Sequence, residues 1–321
     1  MAARATHSGS GAASSSSDDA SRCLLLALSH DELGVIVDGL ADPLQPVVAV
    51  ALSSTCLGLR TPLLAALELL QQRHEKAVAL GRKGGKIIDG FSTGLGRAMR
   101  ISMTCADLRD AEKLDWHDKR LTTDDMATLG LILPWIPRLK QLHLSINSLG
   151  DAGMSALCEG LGRGAAPSLL TLSLSQSKFG PVGAEALAAA LSRGVMTKLN
   201  ELHLSDNDIG DQGVAALAPA LKKLPALKRL DLGMCGIGDE GVGSLLDNLG
   251  KDDFKALEEL YLDANLLTDK GCATTVAALK AGALPAIKSL YYPGNEERRF
   301  SDEASAEACE AVNAALQQRL A

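Results

Sequence analysis

The sequence predicts an α/β fold: a curved right-handed solenoid with parallel strands on the inner wall, helices outside, and an α-helical N-terminal cap. Three observations carry this. One line of residues recurs six to seven times between about Ala111 and Asn295, at spacings of 28 or 30 residues. Within each copy, apolar residues fall first two apart and then four apart. The composition is 46 % hydrophobic but only 3 % aromatic, which suits a core built by stacking leucines. A fixed period of this length means units that cannot bury their apolar face alone and do so against their neighbours.

The strand comes first in each copy. One column reads Leu114, Leu142, Leu172, Leu202, Leu230, Leu260, Leu290, and a second, two residues on, reads Trp116, Leu144, Leu174, Leu204, Leu232, Leu262, Tyr292. Spacing of two puts both on one side of an extended chain. The helix follows, with spacing of four in Gly183, Leu187, Leu191 and in Gly241, Leu245, Leu249. Strand–helix units in series require parallel strands. Strands sit ~4.8 Å apart and helices roughly 8–10 Å apart, so the stack must curve with its strands inside.

Two further columns explain the turns. Asn147, Asn207, Asn265 and Asn295 can satisfy turn backbone groups that would otherwise be buried unpaired. Cys235 takes that position as a small buried substitute, while Ser177 and Lys119 fit it less well, Lys119 marking the first repeat as an edge. The glycines at 153, 183, 213, 241 and 271 allow close approach of layers. Residue set and spacing together resemble the leucine-rich repeats of the ribonuclease-inhibitor type, over about 180 residues. After Asn295 the pattern stops, and Ala304, Ala308, Ala311, Val312, Ala315 and Leu316 form one apolar helical stripe suited to capping the last layer.

Five regions follow: a disordered tail (1–21), a helical region (22–80), a basic glycine-rich connector (81–110), the repeats (111–295) and a capping helix (296–321). The tail is rich in Ser, Ala and Gly, with Arg4 and no acid before Asp18, a composition that organelle transit peptides share. In the helical region Ser29 and Glu32 form a capping box, Leu33, Ile36, Val37 and Leu40 an apolar face, and Pro43 a stop. The run Asp31-Glu32-Leu33, Ile36, Leu40, Asp42-Pro43, followed by a small-residue helix, resembles an F-box, although His30 stands where the motif has proline and the closing aromatic is absent. The resemblance implies docking on a Skp-type linker of a cullin ubiquitin ligase through Leu33, Ile36, Leu40 and Pro43, with the repeats holding substrate. Without that link, the segment is a helical cap on the first repeat.

Charge and cysteines bound the rest. A net charge of −7 gives no general affinity for nucleic acid or acidic membranes. No apolar run is long enough to span a bilayer. Seven scattered cysteines without a C-x-x-C pair, and no N-glycosylation sequon, point to a reducing compartment, cytoplasmic or nuclear. Gly90-Phe91-Ser92-Thr93-Gly94 fits a nucleophile elbow, but the repeats downstream leave no sheet to carry its acid and histidine. The bases Arg82, Lys83, Lys86, Arg97 and Arg100 have no interleaved aromatic beyond Phe91 and read as a solvated loop.

No catalytic, cofactor or metal residues are expected. By alternation the inner wall carries Asp115, His143, Ser173, His203, Asp231, Tyr261 and Tyr291 in one column and His117, Ser145, Ser175, Ser205, Gly233, Asp263 and Pro293 in the next. His143 and His203 lie two rungs apart, about 10 Å, too far for one zinc. Among these, Asp115, His117, His143, His203, Asp231, Tyr261, Asp263 and Tyr291 are the candidate protein-binding residues, and an ordinary solvated sheet face is the competing reading. The function expected is a non-enzymatic protein–protein interaction module, in its finer form an F-box-type ligase adaptor. The alternative is a Ran-type small-GTPase-activating protein, built from the same repeats, although the mixed tail with Arg298, Arg299 and Arg319 departs from that family's acidic one.

Overall fold

The structure is a computed structural model that describes residues 42–46, 64–88, 99–162, 164–250, 252–292 and 304–320. The chain divides into two units, residues 1–72 and 73–321. Leu33, Ile36 and Leu40 lie outside the described residues, as do Gly90–Gly94, Pro293, Asn295 and Arg298–Arg299. In the first unit Pro43 and Leu44 are buried in a turn, where Asp42 Oδ1 accepts the Leu44 amide (2.8 Å) and the Asp42 carbonyl accepts that of Gln45 (3.0 Å). The Asp-Pro pair thus initiates an Asx-type turn.

Helix α1 spans Leu64–Gly84. Gly85, at φ +63°, ends it by donating to the Gly81 carbonyl at 3.0 Å. The segment expected as a connector departs from that reading over its described residues. It holds the last turn of α1, an antiparallel pair β1 (Lys86–Ile88) and β2 (Met99–Ile101), and α2 (Cys105–Arg109), which starts on a Thr104–Asp107 capping box. Lys83 is not a solvated loop residue either: it pairs with Asp125 of the first repeat, and Lys76 pairs with Asp124 at 2.7 Å.

Seven strands follow in one parallel sheet whose spatial order is the sequence order. They are β3 (Lys113–Asp115), β4 (Gln141–His143), β5 (Thr171–Ser173), β6 (Glu201–His203), β7 (Arg229–Asp231), β8 (Glu259–Tyr261) and β9 (Ser289–Tyr291). The register pairs Leu114, Leu142, Leu172, Leu202, Leu230, Leu260 and Leu290 in one line, and all seven are buried. Each such leucine contributes roughly 1.5–3 kcal/mol by burial. Trp116 and Tyr292 lie in the second buried column, at its two ends. Between strands run α3 (Thr123–Ile132), α4 (Gly150–Gly160), α5 (Pro181–Ser192), α6 (Gly210–Lys222), α7 (Asp239–Leu246) and α8 (Asp269–Lys280). Helix α7 falls short of its expected length. It stops at Leu246, with Asp247 extended and Asn248 at φ +54°, so Leu249 lies beyond the helix. The run Asp247-Asn248 followed by Gly250 is poor in helix formers and rich in residues that favour turns.

The asparagine column joins repeats in pairs. Asn207 Oδ1 accepts the amides of Ser177 (3.0 Å) and Phe179 (3.4 Å), and its Nδ2 donates to the carbonyls of Leu174 (3.0 Å) and Leu204 (2.7 Å). Asn147 and Asn265 do the same for the repeats before them, serving Lys119 and Cys235. Each asparagine satisfies two rungs, so the alternate rung needs only a small side chain, and Ser177 and Cys235 stand there, fully buried.

At three of the five column glycines, Gly183, Gly241 and Gly271, the structure gives a sharper cause than layer spacing, whereas Gly153 and Gly213 face the packed neighbours Leu149 and Ile209. Asp151 Oδ1 accepts the amides of Gly180 (2.7 Å) and Gly183 (2.8 Å), and Asp239 Oδ1 those of Thr268 (3.0 Å) and Gly271 (2.8 Å). A Cβ at Gly183 would stand 2.9 Å from that Asp151 oxygen, and one at Gly271 only 2.5 Å from Asp239 Oδ1. Each aspartate caps the helix of the following repeat, and glycine leaves it room.

The C-terminal helix α9 (Ala306–Leu320) buries Cys309, Val312, Ala315 and Leu316. Cys309 takes the buried place expected for Ala311, which is exposed. Arg319 donates to the carbonyls of Leu279 (3.0 Å) and Gly282 (3.2 Å), closing the C-terminal end of α8.

Candidate functional site

The exposed side of the sheet is set by the strand register. Residues flanking each buried leucine point away from it. The expected column from Asp115 to Tyr291 is aligned residue by residue across all seven strands. Beside it runs a second column absent from the sequence reading: Lys113, Gln141, Thr171, Glu201, Arg229, Glu259 and Ser289. Its signal was present, since each member precedes a column leucine by one and shares a face with the residue that follows it.

The eight candidate residues form two groups. Six rungs at ~4.8 Å separate Asp115 from Tyr291, about 29 Å. At the N-terminal end His117 Nδ1 meets Asp115 Oδ1 at 2.7 Å, with Lys113 Nζ at 3.7 Å from the other oxygen. Burial opposes ionisation of Asp115, but the His117 hydrogen bond and nearby cations outweigh it and hold its carboxyl below the usual range. His143 is pushed below the ordinary 6.5 by burial and by Lys113. Its Nε2 is buried without a hydrogen-bond partner. The middle of the wall is a hydroxyl strip, with Ser145 against Ser173 (2.7 Å) and Ser205 against Ser175 (3.0 Å).

The C-terminal group holds the aromatic residues. The Tyr261 and Tyr291 rings stack with centroids 4.1 Å apart and planes within 5°. Parallel in-register strands dictate this, because they place identical positions one strand spacing apart. Tyr261 Oη donates to Glu259 Oε2 (3.0 Å), Arg229 Nη2 meets the same oxygen at 2.7 Å, and Arg229 Cζ lies 6.0 Å from the Tyr261 ring centroid. The Arg229 hydrogen bond holds the Glu259 carboxyl down, while burial and the Glu259 contact push the Tyr261 phenol up. Two rungs back from Tyr261, His203 sits between Asp231 (3.7 Å) and Glu201 (3.6 Å), and Asp231 leads in raising it above 6.5. Asp263 faces Gly233, whose missing side chain leaves it space: a Cβ there would stand 3.2 Å from Asp263 Oδ1.

Among the described residues no group of three or more His, Cys, Asp or Glu could hold a metal ion. No described helix is long and apolar enough to cross a membrane. Two of the wall's histidines, His117 and His203, meet carboxylates, and its serines meet each other in pairs.

A family model for the leucine-rich repeat matches four segments, residues 137–158, 165–188, 195–218 and 223–246. Among curated proteins the chain is similar to the bovine (Bos taurus) NACHT, LRR and PYD domains-containing protein 5, 46 % identical over 54 residues, covering 17 % of this chain and 5 % of that protein. It is similar to the leucine-rich repeat-containing protein 42 of Xenopus tropicalis, 36 % identical over 77 residues, covering 23 % and 18 %. It is also similar to the ribonuclease inhibitor of Sus scrofa, 46 % identical over 50 residues, covering 16 % and 11 %. The chain thus spans under a fifth of the length of each of these relatives. Among solved structures, a TLR13–ssRNA13 complex aligns with a TM-score of 0.34 at 15 % identity, covering 66 % of this chain and 32 % of that one. An internalin from Listeria monocytogenes aligns with a TM-score of 0.27 at 17 % identity, covering 62 % and 64 %. The family model thus marks leucine-rich repeats within residues 137–246, and the seven-stranded parallel sheet with its alternating helices continues the same strand–helix solenoid over residues 113–292.

Proposed function

We propose that this protein is a non-enzymatic interaction module that holds a protein partner on its concave sheet face, anchored at the Tyr261–Tyr291 end. One observation carries the reading: two partly exposed tyrosines, stacked at 4.1 Å, on a rigid sheet among charged groups. Tyrosine combines apolar area with a polar tip and little conformational entropy to lose, which is why aromatic anchors dominate many protein interfaces. The same column supplies Asp115, His117, His143, His203 and Asp231 as polar contacts, with Asp263 beside it.

Site-specific photocrosslinking in the native cell tests this. A benzophenone side chain at Ser173, on the wall, should trap a discrete partner. The same group at Glu185, exposed on α5, should not. Trapping from Glu185 alone would refute a concave binding face.

The finer reading makes the protein a substrate adaptor of a cullin ubiquitin ligase, docking on a Skp-type linker through Leu33, Ile36, Leu40 and Pro43. It rests on the F-box resemblance; the Asp42–Pro43 turn of that motif is folded, with Pro43 buried in it. Immobilised full-length chain should retain the linker, and Ile36→Asp with Leu40→Asp should abolish retention. No retention, with a known F-box protein retained in parallel, removes the adaptor role and leaves the interaction module standing.

A further inference from the structure

The chemistry of the partner can be read from the charge of the wall, given the reading that the concave face is the binding face. The face is asymmetric. On strands β3–β5 and the residues just after them, Lys113 offsets Asp115, Asp118 adds one charge, and the rest is neutral: Gln141, Thr171, Ser173, Ser145, Ser175 and Gln176. From β6 onward the same positions carry five carboxylates, Glu201, Asp206, Asp231, Glu259 and Asp263, against one guanidinium, Arg229, and one imidazole, His203, which lies 3.6 Å from Glu201 and 3.7 Å from Asp231. Arg229 is paired to Glu259 at 2.7 Å. Acids lining one concave, low-dielectric surface reinforce each other's field and attract cations.

The chain itself shows what this end can hold. Arg229 places its guanidinium 6.0 Å from the Tyr261 ring centroid while its nitrogen meets a carboxylate. That pairing, a ring face and an acid around one planar cation, is favourable for arginine in particular. Asp231 and Glu201 carry further negative charge one and two rungs away. An acidic or nucleic-acid partner would meet like charge here. A purely apolar segment would desolvate these carboxylates without compensating them.

We infer that the β6–β9 half of the concave face selects a basic segment of the partner protein, seating its Lys or Arg side chains against Glu201, Asp206 and Asp231 and beside the Tyr261–Tyr291 stack. Such charges set partner choice and association rate more than total affinity.

The test uses the full chain and three fluorescein-labelled peptides of about twelve residues, alternating Ser with Arg, Lys or Glu, read by fluorescence anisotropy. The Arg and Lys peptides should bind, more weakly as salt rises, and the Glu peptide should not. Asp231→Asn and Glu201→Gln should each weaken binding about threefold. Asn at 231 keeps an acceptor for the Gly233 amide, which Asp231 now receives at 3.1 Å. Glu185→Gln on the outer face should change nothing, and Arg229→Ala, which frees Glu259, should strengthen binding. Tyr261→Ala should cost the Arg peptide more than the Lys peptide. Equal losses from the Glu185 and Asp231 variants would show nonspecific attraction and overturn the inference, as would failure of both basic peptides to bind. The broader reading fails differently: a partner trapped from Ser173 whose contact residues include no Lys or Arg removes this inference alone, whereas no trapping from Ser173 removes the concave site itself.

Discussion

Asp211 and Gly241 belong to successive repeats, yet Asp211 Oδ1 accepts the Gly241 amide at 3.0 Å and that of Gly238 at 2.6 Å. One side chain caps the next repeat's helix and fixes the spacing between the two units. Asp211→Ala leaves two part-buried donors without their acceptor and should cost about 2–3 kcal/mol, read as a fall in the urea midpoint. Gly241→Ala should destabilise for the converse reason, since its Cβ would stand 2.6 Å from the same oxygen. Because both changes remove one contact, the double variant should lose less than the two single losses added together.

Asn207 and Ser177 occupy the same column in adjacent repeats but should differ sharply on truncation. Asn207→Ala strips acceptors or donors from Ser177, Phe179, Leu174 and Leu204, all at buried positions. About 3–4 kcal/mol should be lost. Ser177→Ala removes only a 3.5 Å contact to the Ser175 carbonyl and should cost less than about 1 kcal/mol. Equal costs in chemical denaturation would contradict the paired-rung account.

The wall's histidines should titrate in opposite directions from 6.5. Asp231 raises His203, so it binds protons more tightly folded than unfolded. Its stabilising contribution is complete below the unfolded value near 6.5 and is lost as pH rises through the higher folded value. Burial lowers His143. The unfolded chain then takes up that proton first, and stability falls as pH drops from about 6.5 through the folded value. Imidazole resonances followed by NMR should show His203 above His143. Asp231→Asn should bring His203 down towards 6.5 and leave His143 nearly unmoved.

The strand register was legible because each repeat places leucine at one fixed offset, and a period of two leaves no freedom about which face it takes. Trp116 and Tyr292 followed from the same offset. The caps were less so. Asp151, Asp211, Asp239 and Asp269 recur two residues before the glycine column, but the sequence does not say that an aspartate reaches into the following repeat. The α7 terminus at Leu246 was missed because Leu249 continued the four-residue spacing while Asp247 and Asn248 opposed it. Local propensity prevailed over pattern there. Glu201, Arg229 and Glu259 are not legible in the sequence as one cluster on the wall, because their pairing depends on which strands are neighbours.

Tyr261 gives the most direct test of the proposed interface. Its ring stacks on Tyr291 and its hydroxyl reaches Glu259 at 3.0 Å, so part of any truncation cost is structural. An aromatic pair contributes about 0.5–1.5 kcal/mol beyond area burial. Tyr261→Ala should therefore lower stability by about 1–2 kcal/mol, while a central aromatic anchor costs roughly 2 kcal/mol or more in binding, at least tenfold in affinity. Tyr261→Phe separates the two contributions. It keeps the stack and the apolar face but loses the Glu259 hydrogen bond. It should retain nearly full thermal stability and bind the partner within a few fold of the native chain. Unchanged affinity in Tyr261→Ala would make the stack a closure of the sheet end rather than a contact. A fall in melting temperature for Tyr261→Phe as large as that for Tyr261→Ala would place its importance in the Glu259 bond instead of the ring.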